Sequence, residues 1–297
     1  MSDDIQFETF VKNKDGIMER VTYVCQNVIT GDTDSSYLDI NEIGKYLNNN
    51  KEKITEVADK IADEVKQTFP NFMKDVFNVP DENLSIIDTE REIVSDKSYF
   101  LTKKRYIMNV RDKEGEDTNE HKIMGLEIRK SDTPKVVQNF LTDLVNMIMD
   151  GNSYEDVNRL INEFYDYYTS LSVVDVGRPM SVKVFKHYED LFNQTGELKG
   201  FPYHVRAALF YNKHCTNKDR KIRSGDKIRV TYIKHPETNY IAVPVDAQHY
   251  PDIVNEVKID WNRQWETVHK KAQNYLRPIN WDDAGIRESN LNDLFGV

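Results

Sequence analysis

The stretch Gly31-Asp32-Thr33-Asp34-Ser35 decides how the rest of the chain is read. Before it runs VTYVCQNVIT, Val21 to Thr30, rich in β-branched and aromatic residues, and after it SYLDI, Ser36 to Ile40. The pattern predicts a β-hairpin with an acidic bend. Side chains two apart on an extended chain share a face, so Asp32 and Asp34 lie together, roughly 6–7 Å apart along the strand, with Thr33 opposite. Two carboxylates on one face repel unless a cation sits near them. Hard oxygen ligands suit Mg²⁺, which takes one or two protein carboxylates and leaves its other positions to water and phosphate. Gly31 lets another backbone come close. By itself an Asp-x-Asp at a strand tip is also ordinary solvated turn chemistry; the neighbouring stretches decide between the two.

The chain of 297 residues is long enough for two modest domains and a sizeable core. No run of about 18 apolar residues occurs, so no membrane span is expected. The acidic start MSDDIQ lacks the character of a secretory signal. Cys25 and Cys215 have neither metal-ligand spacing nor a disulfide framework, and a reducing cytoplasm is the expected location. The formal net charge of -10 argues weakly against a nucleic-acid binder. Lys213, Lys218, Arg220, Lys221, Arg223, Lys227 and Arg229 nevertheless form a basic stretch, and Lys103-Lys104-Arg105 a second cluster. An acidic protein with basic stripes can still bind DNA through them.

Residues 1–20 show no convincing periodicity. Ile54, Val57, Ala58, Ile61, Ala62, Val65, Phe69 and Phe72 recur at helical spacing behind the capping run Asn48-Asn49-Asn50, with Pro70 kinking or ending the helix. The pattern turns β-like from Leu84 through Val94. Tyr99 to Val110 reads as one strand, residues 111–117 as a turn and His121 to Ile128 as the returning strand. Beyond Ser131 helices dominate. One starts after Asp132-Thr133-Pro134 and stops at Gly151, and a second opens on the capping box Ser153 to Asp156. A third spans His204 to His214, a hairpin joins Lys227–Ile233 to Tyr240–Val245, and a long helix begins at Trp261. The fold class is therefore α+β: an antiparallel sheet with packed helices over 1–130, then a mainly helical domain over 131–286 and a tail over 287–297.

The strings LTKKRYIMNV (101–110) and KIMGLEIRKSDTPK (122–135), following GDTDS in this order, resemble the C-terminal half of a family B replicative DNA polymerase of the tailed-bacteriophage type. GDTDS resembles its motif C metal site, KKRY the palm motif that grips the primer end, and the stretch up to Thr133-Pro134-Lys135 the junction from palm to thumb. FPYHVR (201–206) resembles a Pro-Phe-His-Ile-Arg stretch of the thumb. SNLNDLF (289–295) resembles the tail peptide that holds the sliding clamp. The resemblance covers residues 28 to 297. No exonuclease domain, motif A or fingers helix is found, and Asp88-Thr89-Glu90, an Asp-x-Glu, falls after the palm turn, where no exonuclease belongs. Thr30 stands where many family members have Tyr.

The resemblance implies two Mg²⁺ ions, shared with a partner chain, with Asp34 as ligand and Asp32 as supporting acid or weaker ligand; both count as catalytic. Glu92 resembles a family acid near the metals, though a solvated strand residue is an equal reading. Lys104, Arg105 and Tyr106 would face the nascent base pair and primer phosphates, with Lys104 and Tyr106 on one strand face and Arg105 on the other. Lys135, His204 and Arg206 would clamp duplex phosphates, which gives salt-dependent affinity without sequence preference. Leu291, Leu294 and Phe295 would anchor the clamp peptide.

The start at Met1, just upstream of motif C, suggests one gene of a split polymerase, with a cloned fragment as the alternative. Such a subunit would add dNTPs to a primer-template only when an N-terminal subunit supplies motif A, fingers and exonuclease, and it would be inert alone. One rival is a non-catalytic remnant that binds DNA and the sliding clamp. Another is a small Mg²⁺ phosphohydrolase, which leaves KKRY and the tail unexplained.

Overall fold

In the computed structural model the described residues are 5–12, 18–25, 28–31, 35–196, 198, 200–216 and 219–286. The fold is α+β, and the chain divides into two compact units: 1–103 with 107–122, and 104–106 with 123–297.

The first unit opens with β1 (Ile5–Lys12) and β2 (Met18–Cys25), paired antiparallel from Ile5↔Cys25 to Lys12↔Met18. These two strands thus pair within a part of the chain whose sequence carries no convincing period. Val21–Cys25 pairs with β1 and does not belong to the strand that ends at Gly31. That strand is the shorter β3 (Val28–Gly31), paired with β4 (Ser36–Leu38) through Thr30↔Tyr37 and Gly31↔Ser36, with an irregularity between Val28 and Thr30.

A short α1 (Asn41–Tyr46) precedes the long α2 (Lys51–Phe77). The Asn50 side chain accepts from the Lys53 amide at 2.9 Å, and Asn78 closes the other end in the left-handed region. A cap of this kind stabilises a helix by about 1 kcal/mol. Pro70 does not end the helix, which runs on to Phe77. Met73 is the one buried residue among those of α2, although the helix is amphipathic.

Residues 84–92 form no strand. Instead β5 starts at Ile93 and runs to Thr102, β6 is Arg105–Lys113, and β7 is Glu116–Met124. The three lie side by side in sheet order, and their two-residue connections force antiparallel pairing. Glu114 and Gly115 both have positive φ (52° and 88°), as the tightest hairpin turns require. The continuous strand expected over Tyr99 to Val110 is therefore broken, with Lys103 and Lys104 as its bend. Residues 127–129 form a 3-10 turn and not a strand end. Within this unit Arg91 is almost fully buried; it donates to Asp59 of α2 at 2.5 Å and to buried Asp112 of β6.

The second unit carries the larger core. Helix α3 (Lys135–Asp150) buries Val137, Phe140, Leu141, Leu144, Val145 and Met149 along one stripe and stops at Gly151, whose φ is 80°. Each such side chain contributes about 1.5–3 kcal/mol by leaving water. Helix α4 (Tyr154–Tyr168) starts at the Ser153 cap, whose Oγ accepts from the Asp156 amide at 3.2 Å. Phe140 of α3 stacks on Phe164 of α4 with centroids 4.0 Å apart.

After α5 (Val173–Val176) come β8 (Arg178–Ser181), α6 (Phe185–Thr195), α7 (Tyr203–His214), β9 (Lys227–Lys234), β10 (Tyr240–Pro244), α8 (Ile253–Glu256), β11 (Lys258–Ile259) and α9 (Trp261–Leu276). Strand β9 pairs antiparallel with β8, β10 and β11, so this unit holds a four-stranded sheet as well as its helices. Phe185, Val205, Tyr211, Ile228, Ile241 and Val243 form the centre of the core around α7 and this sheet.

One amide ties α9 to three other elements. Buried Gln264 of α9 accepts from the Tyr232 amide of β9 at 3.2 Å, and donates to Tyr168 Oη at 3.1 Å and to the Val176 carbonyl at 2.7 Å.

Candidate nucleic-acid interface

The hairpin bend at 103–104 puts Lys104 at φ +61°, a conformation that costs a non-glycine residue on the order of 1 kcal/mol. In a bend, Lys104 cannot alternate with Arg105 and Tyr106 as it would in a strand. The strand-face assignment made from the sequence therefore fails for Lys104. A β-carbon on Gly125, at φ +65°, would lie 2.3 Å from the Lys104 carbonyl oxygen, so the bend rests against a position that only glycine can fill.

Beside the bend, Arg105 Nη2 donates to Glu127 Oε2 at 2.6 Å. Glu127 is 8% exposed, and it also accepts from Lys130 Nζ at 3.2 Å and from Tyr275 Oη at 3.1 Å. Burial alone would raise the Glu127 carboxyl pKa. The hydrogen bonds from its own amide and from Lys130, with the charges of Arg105 and Lys130, outweigh burial and hold it below the ordinary carboxylate value. Burial instead drives the Tyr275 phenol up. Tyr106, 5% exposed, is a core ring.

Lys135 is the first residue of α3, immediately after Pro134. It lines an open cavity of about 570 Å³ with Thr133, Gln138, Tyr167, Asp175 and Arg229. Arg229 Nη1 donates to the Val174 carbonyl at 3.4 Å, which turns its guanidinium partly inward. His204 and Arg206 both stand at the start of α7, but residues two apart on a helix do not share a face, so the two cannot grip one phosphate. Burial pushes the His204 imidazole pKa down, which leaves it neutral at pH 7 and able to hydrogen-bond without adding charge. The Arg206 guanidinium lies 5.7 Å from the centroid of the Tyr240 ring.

The basic stretch from residue 213 is partly neutralised by Asp226 within it and by Glu237 and Asp246 beyond it. Lys213 pairs with Glu237 at 2.5 Å, and Arg220 pairs with Asp226 at 3.0 Å and Asp246 at 3.1 Å. In the first unit Glu92 pairs with Lys122 at 2.7 Å, and Asp88 with Lys66 at 2.7 Å.

Asp32 and Asp34 lie outside the described residues, as do Leu291, Leu294 and Phe295. Their flanks are described: the Gly31↔Ser36 pair brackets the acidic tripeptide. Among the described residues no group of three or more metal-ligating side chains occurs, and no helix is long and apolar enough to cross a membrane.

Over 214 residues, 67% of this chain, the sequence is 26% identical to the DNA-directed DNA polymerase of Enterobacteria phage T4. Over 223 residues, 68% of this chain, it is 28% identical to that of Escherichia phage RB69. The chain is similar to phage DNA polymerases. It spans 22% and 24% of the length of these two relatives. No family model matches it.

Glu127, which holds Arg105, was not singled out from the sequence. Within KIMGLEIRK its one available signal is an acid set between two apolar residues at the junction. The Arg91–Asp112 pair and the half-buried Lys271 gave no sequence signal, because each depends on a partner or a surface far along the chain.

Proposed function

We propose that this chain supplies the motif C acids, the primer-gripping hairpin and the thumb of a family B DNA polymerase, and adds dNTPs to a primer end once another polypeptide provides motif A and fingers. The observation that carries the reading is the similarity to two phage DNA polymerases over two thirds of the chain. It is supported by the order of GDTDS, KKRY, the Thr133-Pro134-Lys135 junction and FPYHVR. Asp34 and Asp32 would hold Mg²⁺, whose charge offsets that of the reacting phosphates.

The chain's own residues position DNA in this reading. Lys104 meets the primer from the bend, Arg105 is oriented by Glu127, and Lys135 and Arg206 hold duplex phosphates without reading sequence. Glu92 and His204 take lesser parts, and Tyr106 serves as the packed base of the hairpin. The tail, with Leu291, Leu294 and Phe295, would dock on a sliding clamp. In the first unit Val65, Phe72, Val76, Phe77, Ile86 and Ile87 are exposed, and such an apolar surface suits burial against the rest of a polymerase palm.

Co-purification with a polypeptide carrying motif A and fingers, followed by primer extension, tests the reading. Extension by the mixture, lost in Asp34→Ala with duplex binding nearly intact, is the expected result. Duplex and clamp binding without extension by any such mixture would leave a non-catalytic remnant in its place.

A further inference from the structure

A second recess lies in the second unit, across Pro134 from the Lys135 cavity, with a volume of about 250 Å³. It is walled by β9 and β10, by α9 and by the loop that leads into α3. Three cations border it, Lys130, Arg178 and Lys271, against two carboxylates, Glu127 and Asp132. Both carboxylates are engaged: Glu127 with Lys130 at 3.2 Å, and Asp132 with Arg178.

Lys271 is the surplus charge. Its Nζ donates to Thr133 Oγ1 at 2.8 Å, and no carboxylate lies within ion-pair distance of it among the described residues. An ammonium has three donors, so two remain for a ligand. Burial pulls the Lys271 pKa down; the charges of Asp132 and Glu127 oppose this in part, and those of Arg178 and Lys130 add to it.

The recess also has an aromatic lining, Tyr203, Tyr232 and Tyr240 among it. Tyr203 and Tyr240 have ring centroids 5.1 Å apart, and Tyr240 and Tyr232 are likewise 5.1 Å apart. A surplus ammonium beside a row of aromatic rings matches a phosphate joined to a flat base. The volume is too small for a base pair.

We propose that this recess takes one unpaired nucleotide of a DNA strand, with its phosphate at Lys271 and its base on the tyrosine row. The inference rests on the polymerase reading for the source of the strand. It is tested on this chain alone, by binding and without synthesis, so its failure is separate from a failure to extend primers.

Calorimetric titration of the full chain with deoxythymidine monophosphate, thymidine, inorganic phosphate, a ten-nucleotide oligothymidylate and a blunt duplex decides the matter. The monophosphate and the oligonucleotide should bind, and the oligonucleotide should displace the monophosphate. Thymidine and inorganic phosphate should each bind at least about tenfold more weakly than the monophosphate. Lys271→Met should weaken both nucleotide ligands about tenfold or more, Lys271→Arg should restore most of the affinity, and Tyr232→Ala should cost about tenfold through lost stacking. The duplex should not compete with the monophosphate.

No saturable binding of either nucleotide ligand would overturn the proposal. So would unchanged affinity in both Lys271→Met and Tyr232→Ala. A lower melting temperature of Lys271→Met with unchanged monophosphate affinity would make Lys271 a brace for Thr133 and would equally overturn it. Monophosphate binding that the oligonucleotide cannot displace would overturn the assignment to a strand.

Discussion

Arg105 and Glu127, 22 residues apart in sequence, meet at 2.6 Å beside the hairpin bend, and Tyr275 from α9 completes the contact at 3.1 Å. Glu127→Gln keeps the shape but removes the charge. We expect it to lower the unfolding free energy by about 2 kcal/mol, because it leaves Arg105 and Lys130 without their common acid. Urea unfolding of the two proteins checks the value, and a change within about 0.5 kcal/mol would mean that solvent already satisfies Arg105.

The same carboxyl fixes a pH dependence. Its pKa in the folded chain lies below the ordinary value of about 4.3, so the unfolded chain takes up the proton first as pH falls. The stabilisation is fully present above that ordinary value and is lost as pH falls through the folded one. Stability measured between pH 7 and pH 3 should therefore fall less steeply in Glu127→Gln than in the parent.

Gly125→Ala should be among the costliest small substitutions. Its new methyl would meet the Lys104 carbonyl at 2.3 Å, and its φ of +65° already disfavours alanine. We expect a loss of about 2–4 kcal/mol. Gly151→Ala, at φ +80° but with nothing within 4 Å, should cost about 1 kcal/mol. Equal losses in thermal unfolding would remove the bend contact from the explanation.

Duplex binding should depend on salt through Lys135 and Arg206. If each contacts a phosphate, replacing both by Gln should reduce the slope of log affinity against log salt by about 1.8 in total. Fluorescence anisotropy on a labelled hairpin duplex measures it, and an unaltered slope would take both residues off the interface.

Deleting 289–297 should shorten the products made with a sliding clamp present, and leave synthesis without the clamp unchanged. Loss in both assays would assign the tail to folding.

Much of the second unit was legible because its signals are local. Helix α3 announced itself by its stripe and by Gly151, α4 by the Ser153 cap, and the β9–β10 hairpin by its β-branched run. The bend at Lys103–Lys104 was not legible: no Gly, Asn or Pro marks it, and Lys104 adopts its left-handed conformation only because the surrounding hairpin requires it. The opening hairpin was missed although Ile5, Phe7, Thr9 and Val11 alternate with Gln6 and Glu8, since eight residues with Phe10 out of step give a faint period. At the candidate interface the basic residues could be named, but their partners could not. Glu237 and Asp246 reach the 213–229 stretch only through the tertiary fold, and they lower the net positive charge it carries.

The single amide of Gln264 has a mechanical consequence. Because it bonds β9, Tyr168 of α4 and the end of α5 at once, these segments and α9 are pinned as one block, and a hinge costs less outside it than within it, where up to three hydrogen bonds would break. Gln264→Leu would free the Tyr232 amide and the Val176 carbonyl together and so introduce a second joint inside that block. Hydrogen exchange would reveal that joint as faster opening at Tyr232, at a site remote from the Lys103–Lys104 bend in sequence.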